Sequence, residues 1–409
     1  MRWKLTSAVA FSAVTVAAAA LAMDDGLDRA AGKALFDRNW VPAPASTDAA
    51  DGLGPMYNAR SCVACHQGGG AAKVEPGAAA PRSDILGLVV RLGSARGAHD
   101  PYYGRQLQTS AVQGLDPEAR VTVDLGRAAM RGNGGRPKLA VALAGPPLEA
   151  GIAEELRAAP SLRGRGALES VPDAAILKLA AANAGNADGV RGRANIVTDA
   201  NGKSVVGRYG WKAGFASLRD QVADAFALEL GLSTPVRPEP YGDCTTAETA
   251  CRSMPTGESA AFEGREVSGQ MLDLVTSYVR GLPAPRLPDD AEGARLFAST
   301  GCSACHVPML PGHGGERVRA FTDLLLHDMG AGLDGGVGEQ DVRSSEWRTA
   351  PLADLDPREG TRRYLHDGRA ATLTEAVLWH QGEGAHARTA FEALPEADRR
   401  KLIEYLERL

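Results

Sequence analysis

Two copies of one short pattern carry the chemistry of this chain: Cys62-Val-Ala-Cys65-His66 and Cys302-Ser-Ala-Cys305-His306. Thiols at this spacing can each form a thioether with a vinyl group of one porphyrin, and the residue that follows can place an imidazole on the iron. A redox C-x-x-C needs no histidine after it. A zinc site would have to bring two distant Cys pairs together and would leave both histidines without a role. The duplicated pattern therefore predicts two covalently attached c-type haems, held by Cys62, Cys65, Cys302 and Cys305. His66 and His306 are the expected proximal iron ligands. The remaining cysteines, Cys244 and Cys251, share one short polar loop, where a disulfide is expected in an oxidising compartment.

That compartment is implied by the start of the chain. Arg2 and Lys4 precede an uncharged, Ala-rich run that closes on Ala20-Leu-Ala22. This order of basic, apolar and small-residue segments reads as a cleaved signal peptide over residues 1–22, with a periplasmic product and no stable membrane anchor. With 409 residues, 44% hydrophobic and 23% charged, the chain has the composition of a globular protein. A net charge of −5 argues against a nucleic-acid partner. Aromatic residues make up only 5% of it, so porphyrins are expected to supply part of the flat apolar bulk of the cores.

The elements around the two motifs repeat. Gly32-x-x-Leu-Phe36 precedes the first and Gly293-x-x-Leu-Phe297 the second. Each region closes on an amphipathic helical pattern carrying a tyrosine, Tyr278 or Tyr405. A glycine at the crossing would let the opening helix approach the closing one. The Pro-rich stretch 282–288 marks a boundary near residue 285. The expected fold is mainly α, with two cytochrome c-type haem domains over 23–285 and 286–409, the first carrying a long insertion. Within the insertion, 149–158, 172–182 and 216–230 read as helices and 121–123 as a short strand.

Several further blocks span nearly all of the chain: 52–62, Asp100-Pro-Tyr-Tyr-Gly-Arg-Gln-Leu-Gln108, Gly207-Arg-Tyr-Gly-Trp-Lys-Ala-Gly214, 321–330, Glu346-Trp-Arg-Thr349 and Tyr364-Leu-His-Asp-Gly-Arg369. In this order, with the paired motifs, the chain resembles the di-haem oxidoreductases often labelled thiol oxidoreductases, which are related to bacterial di-haem cytochrome c peroxidases and to a di-haem maturation enzyme. It departs from them at Arg165 and Ala167, where apolar residues are expected, and in a short segment over 124–146.

A haem with two strong axial ligands shuttles electrons, whereas one with an open sixth position can react with peroxide. For the second haem the nearest downstream candidates are His327 and Met329, each with a structural role as the alternative. His313 reads as a surface residue, and His366 and His380 as groups outside the iron's own ligand set or in the core. For the first haem no ligand is clear among Met56, Tyr57, His99, Tyr102 and Tyr103. Peroxide cleavage needs a proton carrier and a polar group, for which Arg105, Gln106 and Glu169 are candidates. The resemblance implies that Trp211 relays electrons between the haems, with packing as the alternative, and that Ca²⁺ binds between domains, for which the Asn/Asp-rich segment 183–195 is the candidate, with an ordinary loop as the alternative.

The expected function is an exported, peroxide-linked di-haem oxidoreductase passing electrons from the C-terminal haem to a reactive N-terminal one. The expected donor is a small c-type cytochrome or copper protein, and the substrate is peroxide or a protein. The alternatives are a protein-modifying di-haem enzyme and a non-catalytic electron-transfer cytochrome.

Overall fold

The structure is a computed structural model that describes residues 26–46, 50–73, 87–125, 137–284, 286, 288–355 and 362–409. The expected signal peptide over 1–22 lies outside the described residues, as does part of the 124–146 segment. Helix α1 covers residues 26–37 and leads to the short α2 (Cys62–Cys65). Strands β1 (Met56–Tyr57), β2 (Leu88–Gly93), β3 (Gln106–Leu107), β4 (Ser110–Ala111), β5 (Ala119–Asp124), β6 (Lys138–Leu143) and β7 (Ala153–Ala158) fill the first half. Then come α3 (Asp173–Asn183), β8 (Ile196–Thr198), β9 (Ser204–Val206), α4 (Leu218–Leu230), α5 (Thr249–Arg252) and α6 (Gly269–Arg280). The second half holds α7 (Ala291–Ser299), β10 (Met309–Pro311), β11 (Arg317–Arg319), β12 (Leu326–Asp328) and β13 (Glu346–Arg348). It ends with α8 (Leu373–Leu378), α9 (Ala385–Ala393) and α10 (Glu396–Glu407).

The repeated glycines explain how each motif is framed. A Cβ on Gly32 would lie 2.0 Å from the Leu274 carbonyl oxygen and 3.0 Å from the Tyr278 Cβ, so α1 crosses α6 at backbone distance. A Cβ on Gly293 would lie 2.5 Å from the Tyr405 Cβ, placing α7 against α10 in the same way. Phe36 packs on Tyr278 with centroids 5.1 Å apart, and Phe297 on Tyr405 at 6.0 Å. Glycine, phenylalanine and tyrosine thus form one crossing, made twice. Ser268 and Asp290 cap α6 and α7 by accepting from the Met271 and Gly293 amides, satisfying donors that each helix start leaves open. The core around the first crossing also takes in Leu310, Val318, Leu324 and Leu325 from the second half.

The expectation of a mainly α fold is corrected. Helices hold 32% of the residues, but strands hold 18%, in several small sheets. The largest described sheet has the order β3-β2-β7, and β5 pairs with β6 in strict alternation of buried and exposed side chains on β5. The stretch 149–158, expected to be a helix, contains β7, which pairs antiparallel with β2 from Leu88 opposite Ala158 to Gly93 opposite Ala153. Its residues favour helix in isolation, but the β2 ladder and a buried ion pair override that preference. Glu155 and Arg157, two apart and so on one face, pair at 2.6 Å, and Arg157 reaches on to Glu339 at 2.5 Å. Residues 172–182 and 216–230 do form helices, and 121–123 lies within β5. Cys244 and Cys251 form the expected disulfide.

Candidate functional site

Both C-x-x-C-H motifs fold into a single tight turn, α2 in one case and a 3₁₀ turn at Cys302–Ala304 in the other. In each, the histidine amide donates to the carbonyl of the first cysteine at 3.0 Å. The His66 Nδ1 lies 3.3 Å from the Gly70 carbonyl oxygen, and the His306 Nδ1 lies 3.1 Å from that of Phe321. A carbonyl can only accept, so Nδ1 carries the proton and Nε2 keeps its lone pair in both rings. Burial pushes both imidazoles down to about 4, so both are neutral donors for a metal. Burial pushes the Cys62 and Cys65 thiols up to about 12 and raises Cys302 as well. All four motif cysteines are free thiols, not disulfides.

The second motif opens on an extended, largely apolar cavity. Cys302, Cys305 and His306 line it, with Phe297, Leu333, Trp347, Leu355, Leu373 and Leu406 as apolar walls. Arg165, Arg348 and Arg362 also line it. The buried Nη1 of Arg165 and Nε of Arg362 have no hydrogen-bond partner among the described residues. Burial, then the neighbouring Arg348, pushes Arg165 down to about 9, and burial pushes Arg348 down to about 10. An apolar cavity with two thiols, an imidazole and three guanidiniums, of which Arg362 lies 3.8 Å from Asp354, fits a porphyrin, whose two propionates would meet the arginines. Arg165, an unexpected residue at its position, is thus one of the cations that this cavity leaves unbalanced.

The expected ligands of the second haem are placed differently. His327 is held on both nitrogens, with Nδ1 2.7 Å from Glu383 Oε2 and Nε2 2.9 Å from Asp323 Oδ2. Burial opposes its charge, but the bonds to Asp323, Cys305 and Glu383 outweigh that and push it up to about 12. An imidazolium held this way offers no lone pair while both bonds are made. Met329 lines the cavity near Gly384. His380 lines it too, and its ring centroid is 6.4 Å from that of His306. The Asn/Asp segment 183–195 is occupied with its own contacts: Arg191 donates to the Asn186 carbonyl at 2.7 Å, and Asp188 lies 3.5 Å from His386.

Trp211 stands on the wall of the same cavity, its Nε1 donating to the Ala158 carbonyl at 3.0 Å. The adjoining Ala159 carbonyl accepts from the Ala72 amide at 2.9 Å, in the segment that runs on from His66. Trp211 therefore sits across the end of β7 from the first motif. Its ring meets Trp347 edge-on, with centroids 6.5 Å apart, and His366 at 6.4 Å.

Near the first motif, the three candidate peroxide-site residues separate. Glu169 accepts from the Leu218 amide at the start of α4 and pairs with Arg280 at 2.6 Å, so it supports the fold rather than a haem pocket. Arg105 bridges Asp224 and Asp243 and lines a polar cleft of about 920 Å³, which exposed His99 also borders. Gln106 alone turns toward the motif: its Nε2 is 3.2 Å from Glu229 Oε2, and the Glu229 charge acts on the Cys65 thiol. The Asn58 amide donates to the Glu229 carbonyl, while its side chain donates to Gln108 Oε1 at 2.8 Å. The Gln108 amide in turn donates to Glu118 at 2.5 Å. Burial raises Glu229, and burial with the neighbouring Glu248 raises Glu118 well above its ordinary value. The sequence reading missed these carboxyls because nothing in their spacing separates them from surface acids; only burial does.

The family description "Di-haem oxidoreductase, putative peroxidase" matches residues 4–84 and 148–409. The chain belongs to this di-haem oxidoreductase family. It is a peroxidase-like oxidoreductase with haem cofactors. No curated protein matches it. Among solved structures it is similar to a chain of Kuenenia stuttgartiensis hydrazine synthase, determined under 20 bar xenon, at 23% identity and a TM-score of 0.24. That likeness covers 36% of this chain and spans 58% of the other. The unmatched segment 85–147 holds five of the thirteen described strands, β2 to β6. No described helix is long and apolar enough to cross a membrane.

Proposed function

We propose that this oxidoreductase is an exported, peroxide-linked enzyme whose haems are attached covalently through Cys62, Cys65, Cys302 and Cys305. His66 and His306 are the proximal ligands. A haem iron supplies one-electron chemistry, and with an open position it reacts with peroxide. The observation that carries the reading is the duplicated turn: each presents two free thiols and an imidazole whose Nδ1 is tied to a backbone carbonyl. Trp211, on the wall of the His306 cavity and bonded to the end of β7, is the proposed relay of electrons from the His306 side to the His66 side. On the His66 side, Gln106 orients Glu229, and Glu118 stores a proton. Reducing one peroxide to two waters consumes two electrons and two protons, and holding such protons is the role proposed for these buried carboxyls. The polar candidates for this chemistry are therefore Gln106 and Glu229, not Glu169.

A small c-type cytochrome or copper protein is the proposed donor. Steady-state assay with hydrogen peroxide and a reduced small cytochrome tests this. Donor oxidation that needs both peroxide and the enzyme supports the reading. Peroxide-dependent oxidation of an added partner protein, with no donor turnover, would establish the protein-modifying alternative instead.

A further inference from the structure

We infer that His380 supplies the second axial imidazole to the iron that His306 binds. The inference rests on the proposed haem attachment at Cys302 and Cys305, and it replaces Met329 as the sixth ligand there.

Spacing gives the first argument. An imidazole bound through one nitrogen at about 2 Å puts its ring centroid about 3.2 Å from the metal, so two on opposite sides stand about 6.4 Å apart. The His306 and His380 centroids are 6.4 Å apart, and both residues line the same cavity. The second argument is the state of the rings. The His380 Nδ1 lies 2.8 Å from the Ala376 carbonyl oxygen, as the His306 Nδ1 does from that of Phe321 at 3.1 Å. Both rings thus keep the lone pair on Nε2. Local structure explains the first of these bonds. α8 stops at Leu378 with Trp379 as its cap, and the next side chain folds back onto a carbonyl of the last turn that would otherwise lack a partner.

His327 is clamped by Asp323 and Glu383. The Met329 methyl and His380 Cδ2 each lie 3.1 Å from where a Gly384 Cβ would stand, so both border the same part of the cavity. Gly384 leaves the ring its room, since any side chain there would press on the His380 Cβ at 3.0 Å. Two imidazoles make the His306 site low-spin and six-coordinate, suited to passing electrons rather than to binding peroxide, at a lower potential than a methionine would set.

The test is EPR of the ferric full chain, beside a haem stain on a denaturing gel. The wild type should show one low-spin, bis-imidazole haem. In His380→Gly that signal should be replaced by a high-spin one and return with added imidazole, while the stain stays unchanged. His380→Met, which keeps a ligand of similar bulk, should show a thioether–iron charge-transfer band and a raised potential; it covers the case in which the glycine variant fails to fold. A low-spin signal that survives in His380→Gly and vanishes in Met329→Leu would overturn the inference. Absence of stainable haem on Cys302 and Cys305 in the wild type would overturn the underlying functional reading, on a separate readout.

Discussion

Trp347 lies flat against His366, with ring centroids 3.7 Å apart and planes 14° apart. Its other face carries the Lys212 ammonium, 3.4 Å from the ring centre. Three backbone carbonyls hold that ammonium: Arg343 at 3.2 Å, Ser344 at 2.8 Å and Glu346 at 2.6 Å. A cation on the π-face makes it harder to remove an electron from an indole. Burial pushes Lys212 down to about 7, so its protection of Trp347 holds below neutral pH, while the Arg157 guanidinium also lies 5.0 Å from the ring centre; Trp211, which meets Trp347 edge-on, is the proposed relay. Trp211→Phe should slow electron transfer between the haems by about tenfold or more, with haem content unchanged. Trp347→Phe should slow it much less. Flash photolysis of the half-reduced protein measures both, and equal effects would remove Trp211 from its special role.

Each motif should hold its haem independently. Cys62→Ala should lose one covalent haem and Cys302→Ala the other, read as half the haem-stain intensity per chain on a denaturing gel. Retention of both haems in either variant would refute the attachment assigned to that motif.

His327 should affect stability and not ligation. His327→Gln is expected to keep both haems and the low-spin signal while losing about 3–5 kcal/mol near neutral pH, because Asp323 is left buried without its cation. The sign with pH follows from a ring held at about 12 against an ordinary 6.5. The stabilisation is complete below pH 6.5 and fades as pH rises toward 12, by about 1.4 kcal/mol per unit. Thermal melts from pH 6 to 9 should therefore converge for wild type and variant as pH rises. Parallel curves would show that the ring is not charged in the folded state.

Arg165 should tune a haem potential. A buried cation favours the reduced, less positive iron, so Arg165→Leu should lower the potential of the adjacent haem by ~30–60 mV, 59 mV being tenfold for one electron. Spectroelectrochemistry decides it; an unchanged potential would place the guanidinium away from the propionates.

How much of this was legible beforehand differs from residue to residue. The motif cysteines, His66 and His306 declare themselves because attachment requires contiguous residues, and Gly32 and Gly293 because a helix crossing repeats one local pattern. The carbonyls of Gly70 and Phe321 that orient the two imidazoles belong to backbone, which no residue type reports. β7 reads as a helix because Ala, Glu, Leu and Arg favour one, and its ladder partner lies far back in the chain. His327 and His380 look equivalent as letters. Only the carboxylates around the first and the helix-end carbonyl beside the second tell them apart. Arg165 was visible as an unexpected residue, but its place at the cavity was not.

Peroxide chemistry is proposed for the His66 side, with the His306 side supplying electrons. Freeze-quench EPR after adding one equivalent of hydrogen peroxide to the half-reduced protein tests it most directly. The signal of the His66 haem should change within the mixing time, and the low-spin ferric signal of the His306 haem should then grow in. Peroxide leaving both signals unaltered, or acting first on the His306 haem, would contradict it.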